Sequence, residues 1–344
     1  MVPNTHSLSL SLSRSGRAID MYCQKSSWQT REQKGMSSAN ASSDLSSEME
    51  VDAFRRLFSL RFHERHLLES TCPDARKLGK ARDTTLALGT VASTDGSALA
   101  KIGCTTTLAT IKMEVMTPTT ESPDEGCIAI DFHMHPICSP IVRPGRPANT
   151  APVISKQFSN TILRHAICGY SSGMIYFKEL SLVSGKATWM AYLDIYCLDA
   201  NGALFDAALL TAVVAFSHLQ IPVVSLNEDG RVVVVSKEDR GKLKCEPINK
   251  EKRKLKLSSV PFSLTCILHK NYMLVDLTAE EESIMETLVT GVLDSSFQLV
   301  SLSKPGRLVL AYTSAIPDYI ALTQQSVKEL QKVLNEAISE IKGD

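Results

Sequence analysis

Apolar and polar positions fall into three regimes along the chain. Through residue 47 there is no sustained apolar period; the stretch is Ser-rich and poor in aromatics. From residue 48 the pattern becomes helical, with Phe54, Leu57, Phe58 and Phe62 at the spacing of an amphipathic helix. The pattern then turns to alternation. "TTLALGTVASTDGSALAKIGCTTTLATIKMEVM" predicts three strands, the first two joined at Thr94-Asp95-Gly96. A further strand is expected near "CIAIDFHM", then a helix over 153–168 with Ile154, Phe158, Ile162 and His165 on one stripe. A strand around 187–199 runs into a glycine turn and an apolar helix at about 206–219.

After Pro222 the pattern resets. "VVSLNEDGRVVVV" predicts a hairpin turning at Asn227–Gly230, and "VPFSLTCILHKNYMLVDLT" a second strand pair. More strands are expected through "GVLDSSFQLVSLSKPG". A final helix at about 317–341 places Val327, Leu330, Leu334, Ala337 and Ile341 on one face. Strands followed by a helix, twice over, with hairpins throughout, predict an α+β fold with mixed or antiparallel sheets packed on helices. The expected organisation is a disordered extension over 1–47, a first subdomain with its N-terminal helix over 48–220, and a second subdomain with the C-terminal helix over 221–344.

Composition narrows the function classes. The 344 residues balance 37 Lys+Arg against 37 Asp+Glu, so the chain lacks the basic excess of a lone nucleic-acid binder. It either avoids nucleic acid or meets it as part of something larger. Nine dispersed cysteines without a C-x-x-C pair fit a reducing compartment, cytosol or nucleus. No apolar run reaches the length of a membrane span, and no membrane partner is expected. "SLSLSLSRSGR" has the Ser/Arg character of a transit peptide, but disorder is what such a composition yields in any case.

Several stretches invite chemistry. Asp131, His133 and His135 alternate along one strand and suit either a two-histidine, one-carboxylate metal site or a polar strand rim. "HERH" at 63–66 spaces its histidines three apart, not the four of the zinc-protease motif. The basic run "NKEKRKLKL" at 249–257 suits phosphate contact or a solvated loop. No phosphate-loop, dinucleotide-loop or serine-elbow motif occurs.

Taken together, "CPDARKLGKAR", "TDGSALAKIGCTTTLATIK" (94–112), "RPGRP" (143–147) and the 193–222 segment ending in "LQIP" resemble the RNase PH family over roughly residues 50–340. The first keeps Asp74 and Arg76 of the family's R-P-D-G-R entry motif, with Ala75 in place of glycine. The resemblance implies an RNase PH-like fold of two linked subdomains. It also implies an ancestral activity: phosphate attack on the 3′-terminal phosphodiester of RNA, needing a cationic, hydroxyl-bearing cradle and metal-bound carboxylates.

Aligned with the family's D-G-G-T-R, "NGALFDAA" puts Leu204 and Phe205 where the phosphate-binding threonine and arginine belong. Residues 150–163 contain no arginine where active members place one at the head of a helix. The metal carboxylates fall on Asp276 and Glu282, a vestigial metal site in which one aspartate has become glutamate; Asp276 and Thr278 capping a turn would also account for them.

This loss pattern resembles the non-catalytic ring subunits of the eukaryotic RNA exosome. That implies no catalytic residues, no cofactor and no metal, and a place in a six-membered ring of RNase PH-like subunits around an RNA channel. Cap proteins with oligonucleotide-binding and KH domains are the further partners, and nucleus, nucleolus and cytoplasm the expected locations. The role implied is support of 3′–5′ RNA processing and degradation, from rRNA maturation to mRNA turnover. Arg143 and Arg146 are the candidate RNA contacts, against a solvated loop or a subunit contact. Two alternatives stand beside it: a phosphorolytic exoribonuclease using Asp276 and Glu282 with Mg²⁺, and a free-standing adaptor for AU-rich RNA.

Overall fold

The computed structural model describes residues 49–140, 142–144, 148, 150–163, 173–222, 224–226, 232–234, 252–269, 272–284, 287–304 and 315–343. The Ser-rich extension, His165, Arg146 and the 227–230 turn lie outside them. The chain divides into two compact units, Met1–Ser59 and Leu60–Asp344. In the first, helix α1 covers residues 49–57, and the Phe54 and Phe58 rings sit 5.7 Å apart. The single amphipathic helix expected here is broken at residue 58, where α2 (Ser59–Leu68) begins. Leu57 and Phe58 are exposed, so the apolar stripe read from this stretch is not a buried face.

The second unit is built on two sheets. One orders its strands β1 (Thr84–Leu88), β2 (Gly96–Ile102), β3 (Thr105–Met116), β6 (Ala187–Asp199) and β4 (Cys127–Met134), with β5 (Ser181–Val183) also on β6. Every pairing is antiparallel except β4 with β6, so the sheet is mixed. The β1–β2 turn is longer than expected: residues 89–95 make the connection and Gly96 already belongs to β2. Asp95 explains why. Its carboxylate accepts from the Met113 N–H at 2.9 Å, tying the turn to β3.

The other sheet is antiparallel, ordered β12 (Tyr272–Val275), β11 (Phe262–His269), β13 (Leu288–Leu293) and β14 (Leu299–Ser303). Two short ladders complete the strands: β7 (Gln220–Pro222) with β10 (Lys252–Lys254), and β8 (Val224–Leu226) with β9 (Val232–Val234).

Helix α4 (Leu204–His218) packs on β2 and β3 and also on β11. Residues 205–216 are all buried, which a helix apolar all round requires. Helix α3 (Thr150–Ile162) covers β4, burying Ile154, Phe158 and Ile162 as its spacing predicts. Helix α6 (Ala315–Gly343) lies on β1, β11 and β13, with Val327 and Leu334 buried. There Tyr319 donates to the Leu264 carbonyl at 2.8 Å, an approach open only because Gly291 has no Cβ to meet the phenol.

Candidate functional site

Four residues, Ala200 to Ala203, join β6 to α4. Gly202 at φ +74° and Ala203 at φ +47° are both left-handed, which turns the chain sharply into the helix. Thr105, at the start of β3, pins this turn. Its hydroxyl donates to the Gly202 carbonyl at 2.7 Å and accepts from the Asn201 N–H at 3.1 Å. A second segment, after β12, closes on the turn from the other side. Asp276 is left-handed there too, at φ +51°.

Thr278 then opens α5 (Ala279–Ile284) with a reciprocal cap. The Glu281 carboxylate accepts from the Thr278 N–H at 2.8 Å, and the Thr278 hydroxyl accepts from the Glu281 N–H at 3.4 Å. The two segments are bonded to each other. Asn201 Oδ1 accepts from the Ala279 N–H at 3.2 Å, and Glu282 Oε1 accepts from the Ala203 N–H at 2.7 Å. A Cβ on Gly202 would overlap the Leu277 carbonyl oxygen, so only glycine fits.

The centre of the joint is Arg82. Its Nη2 donates to Asp276 Oδ1 at 2.7 Å, its Nε to Oδ2 at 3.0 Å, and its backbone N–H to Oδ2 at 2.6 Å. Nη1 reaches the Asn201 carbonyl at 2.7 Å. Arg76 adds a bond from Nη2 to the Asp276 carbonyl at 3.2 Å. Arg82 and Asp276 are 8% and 3% exposed, so this is a buried, fork-shaped ion pair. Burial works to lower the Arg82 pKa, but the bond and charge of Asp276 outweigh it and raise the guanidinium above its ordinary value. Burial raises the Glu282 carboxyl, with the Ala203 N–H and Arg82 pulling it back.

The positions expected to be degenerate present carbon. Leu204 is half-buried against the main core. Phe205 is 8% exposed, its ring 5.2 Å from that of Phe158, which in turn lies 6.3 Å from Phe132. An aromatic wall therefore occupies the side where a phosphate would need donors. One residue further on, Asp206 Oδ2 accepts from the Thr265 N–H at 2.7 Å and ties α4 to β11. Burial pushes its carboxyl up to about 7.

Divalent-metal chemistry does not fit these residues. Both Asp276 oxygens accept from Arg82, whose charge repels a second cation, and a Glu282 oxygen is held by Ala203. Among the described residues no group of three or more His, Cys, Asp or Glu side chains is placed to hold a metal.

The remaining candidates disperse. Arg143 is exposed in the 142–144 stretch, and Arg146 lies outside the described residues. On β4, the His133 ring stacks on Tyr196 at 4.9 Å and its Nε2 is 3.9 Å from Asp194 Oδ1, on the polar outer face of the mixed sheet. In "HERH", His63 is buried and His66 packs edge-on against Phe62. Arg82 and Thr105 escape a reading of sequence: each acts on a partner far along the chain, 194 residues away for Arg82 and Asp276. The Thr278-x-x-Glu281 box is the one local signal of this joint.

The fold agrees with known proteins. Residues 80–222 match the 3′ exoribonuclease family, domain 1, and residues 259–314 match domain 2 of the same family. The chain belongs to this RNase PH family. Exosome complex component Rrp42 of Methanopyrus kandleri is 30% identical over 261 residues, covering 76% of this chain and 90% of the relative. Exosome complex component rrp43 of Schizosaccharomyces pombe is 28% identical over 243 residues, covering 70% and 83%. A solved Archaeoglobus fulgidus exosome with RNA bound to the active site superposes with a TM-score of 0.66 at 23% identity, over 83% of this chain and 98% of that one; it speaks for the fold.

Proposed function

We propose that this protein is a catalytically silent ring subunit of an RNA exosome, resembling Rrp43 and Rrp42, that supports 3′–5′ RNA processing and degradation. One observation carries the reading. The former phosphate cradle is built as a joint: Phe205 packs into the aromatic wall, and Asp276 spends both oxygens on Arg82. Catalysis of phosphorolysis rests on donors aimed at developing negative charge. Leu204 and Phe205 have no side-chain donor to offer.

The relatives named above as exosome components support the assembly part of the reading: a hetero-oligomeric ring of six RNase PH-like subunits, topped by cap proteins with oligonucleotide-binding and KH domains. Rings of this kind would act in nucleus, nucleolus and cytoplasm, on rRNA precursors and on mRNA. Among the described residues, β4 stands at an edge of the mixed sheet, where such a neighbour could add a strand.

The test is to purify the tagged full-length chain gently from its own cells, determine the mass and composition of what accompanies it, and incubate it alone with RNA, phosphate and Mg²⁺. Stoichiometric ring and cap proteins with no nucleoside diphosphate release are expected. A homo-oligomer that phosphorolyses RNA would refute the proposal.

A further inference from the structure

Residues 252–257 of the basic run noted in the sequence form a strip at the surface. Strand β10 pairs with β7 in the register Lys252↔Pro222, Arg253↔Ile221, Lys254↔Gln220, and Lys252, Arg253 and Lys254 are all exposed. Leu255 is buried and Leu257 packs against the core, so alternation turns Lys252, Lys254 and Lys256 to the other side. In extended chain, residues two apart are about 6.7 Å apart along the backbone, which sets the spacing of these lysines. Among the described residues none of the three is in an ion pair. Arg253, by contrast, donates to the Glu179 carbonyl and braces the strip from beneath.

A second segment runs alongside. The Ser258 N–H donates to the Met174 carbonyl at 2.9 Å, Ile175 bridges Leu257, and the Lys256 N–H donates to Glu179 Oε2 at 3.2 Å. This places Tyr176, 50% exposed, beside Lys256, with Lys178 exposed just beyond. Glu179 is the acidic side chain in this pairing, and it is engaged with the Lys256 backbone. The field of the strip is felt below it: besides burial, Lys254 and Lys252 lower the pKa of His218. Exposed cations in a row with an exposed aromatic beside them are the two elements of sequence-tolerant single-strand binding: charges track phosphates, and the ring stacks a base. In sequence Tyr176 stands apart from the lysines; the fold brings them together.

We infer that Lys252, Lys254, Lys256 and Tyr176 form a contact for the backbone and one base of single-stranded RNA, separate from the degenerate cradle. The inference rests on the proposed role in an RNA-handling assembly. It also gives a neutral chain a local footprint for a polyanion, since three cations stand together on one exposed strip.

The test measures fluorescence anisotropy of a labelled oligouridine strand with the full-length protein, alone and in the assembly it co-purifies with, across a salt series. Replacing Lys252, Lys254 and Lys256 together with glutamine is expected to weaken binding at least tenfold. It should also reduce the slope of log K against log salt by about 2, three contacts at about 0.7 each. Tyr176→Ala should lose roughly fivefold or more with the slope unchanged, and Tyr176→Phe should restore it. If the unmodified assembly binds RNA and the lysine variant binds equally well with the same slope, the strip is wrong while the RNA-handling role stands. If the unmodified protein binds no RNA in either form, the role beneath the inference fails with it. Loss of a co-purifying protein from the variant, with RNA affinity intact, would overturn the inference in favour of an acidic protein partner.

Discussion

Arg82→Met is the sharpest test of the joint. The substitution keeps a chain of similar length but removes the Nε and Nη2 bonds to Asp276 and the Nη1 bond to Asn201. Asp276 keeps only the backbone N–H of residue 82 on its carboxylate and stays buried with its charge. Breaking a buried pair by removing one partner costs about 3–5 kcal/mol, most of it the stranded charge. Arg76 Nη1 sits 4.0 Å from Asp276 Oδ2 and offsets part of this, so the lower end, about 3 kcal/mol, is expected. Asp276→Asn, which keeps a residue tolerant of left-handed backbone, should cost a comparable amount by stranding the guanidinium. In the double variant neither charge is left unpaired, and the two losses should fall short of additivity by about 2 kcal/mol. Urea unfolding of the four proteins measures this, and because the pair is buried the coupling should persist in high salt. A loss below about 1 kcal/mol for Arg82→Met, or simple additivity of the singles, would refute the view of Arg82 as the centre of the joint.

Three further outcomes follow from the same geometry. Gly202→Ala forces a Cβ into the Leu277 carbonyl at a left-handed position and should destabilise by about 2 kcal/mol or more, read as a lower urea midpoint; a neutral result would mean the turn is not pressed against residues 277–279. The folded Asp206 carboxyl lies at about 7 against an ordinary 3.8, so its contribution to stability is fully present below about pH 4 and lost as pH rises towards 7. Asp206→Asn, which still accepts from Thr265, should flatten the fall in stability between those values by roughly 2–4 kcal/mol. Replacing Leu204 with threonine and Phe205 with arginine should yield no phosphorolysis on labelled RNA with phosphate and Mg²⁺. It should also cost about 3 kcal/mol, because the new guanidinium enters the space against Phe158.

The sequence is legible where a local period decides. Ile154, Phe158 and Ile162 mark the buried face of α3, and the Ala187–Asp199 strand and the α4 helix stand close to where alternation and the apolar run place them. It fails where a polar side chain reaches across the fold. Asp95, counted as part of a tight turn, instead holds a longer loop to β3 through Met113. Phe54, Leu57, Phe58 and Phe62 read as one helical face, yet the helix breaks at 58 and the exposed rings and methyls show that spacing alone does not say what a stripe covers. Leu204 and Phe205 stand out in sequence only beside the family's motif. Arg82 does not stand out at all, because nothing local distinguishes a guanidinium that will meet a carboxylate from one that will meet water.

On the proposed reading, the loss of an anion cradle and the gain of a joint would be one physical change. An anion site must leave N–H groups and cations unpaired until its ligand arrives, and those unmet donors weigh against the folded state. Here each is spent internally. Ala203 donates to Glu282, Arg82 takes both oxygens of Asp276, Asn201 accepts from Arg82 at its carbonyl and from the Ala279 N–H at its side chain, and Phe205 adds apolar burial against Phe158. The Ala203, Asn201 and Phe205 contacts tie the entry to α4 to Glu282 and Ala279 after β12, to Arg82 before β1 and to Phe158 on α3. If the proposed role holds, contacts of this kind suit a subunit whose task is to hold neighbours in register, because they make the region rigid. The lysine strip that begins at β10 is a different kind of surface: among the described residues its cations are in no ion pair, as a polyanion contact requires.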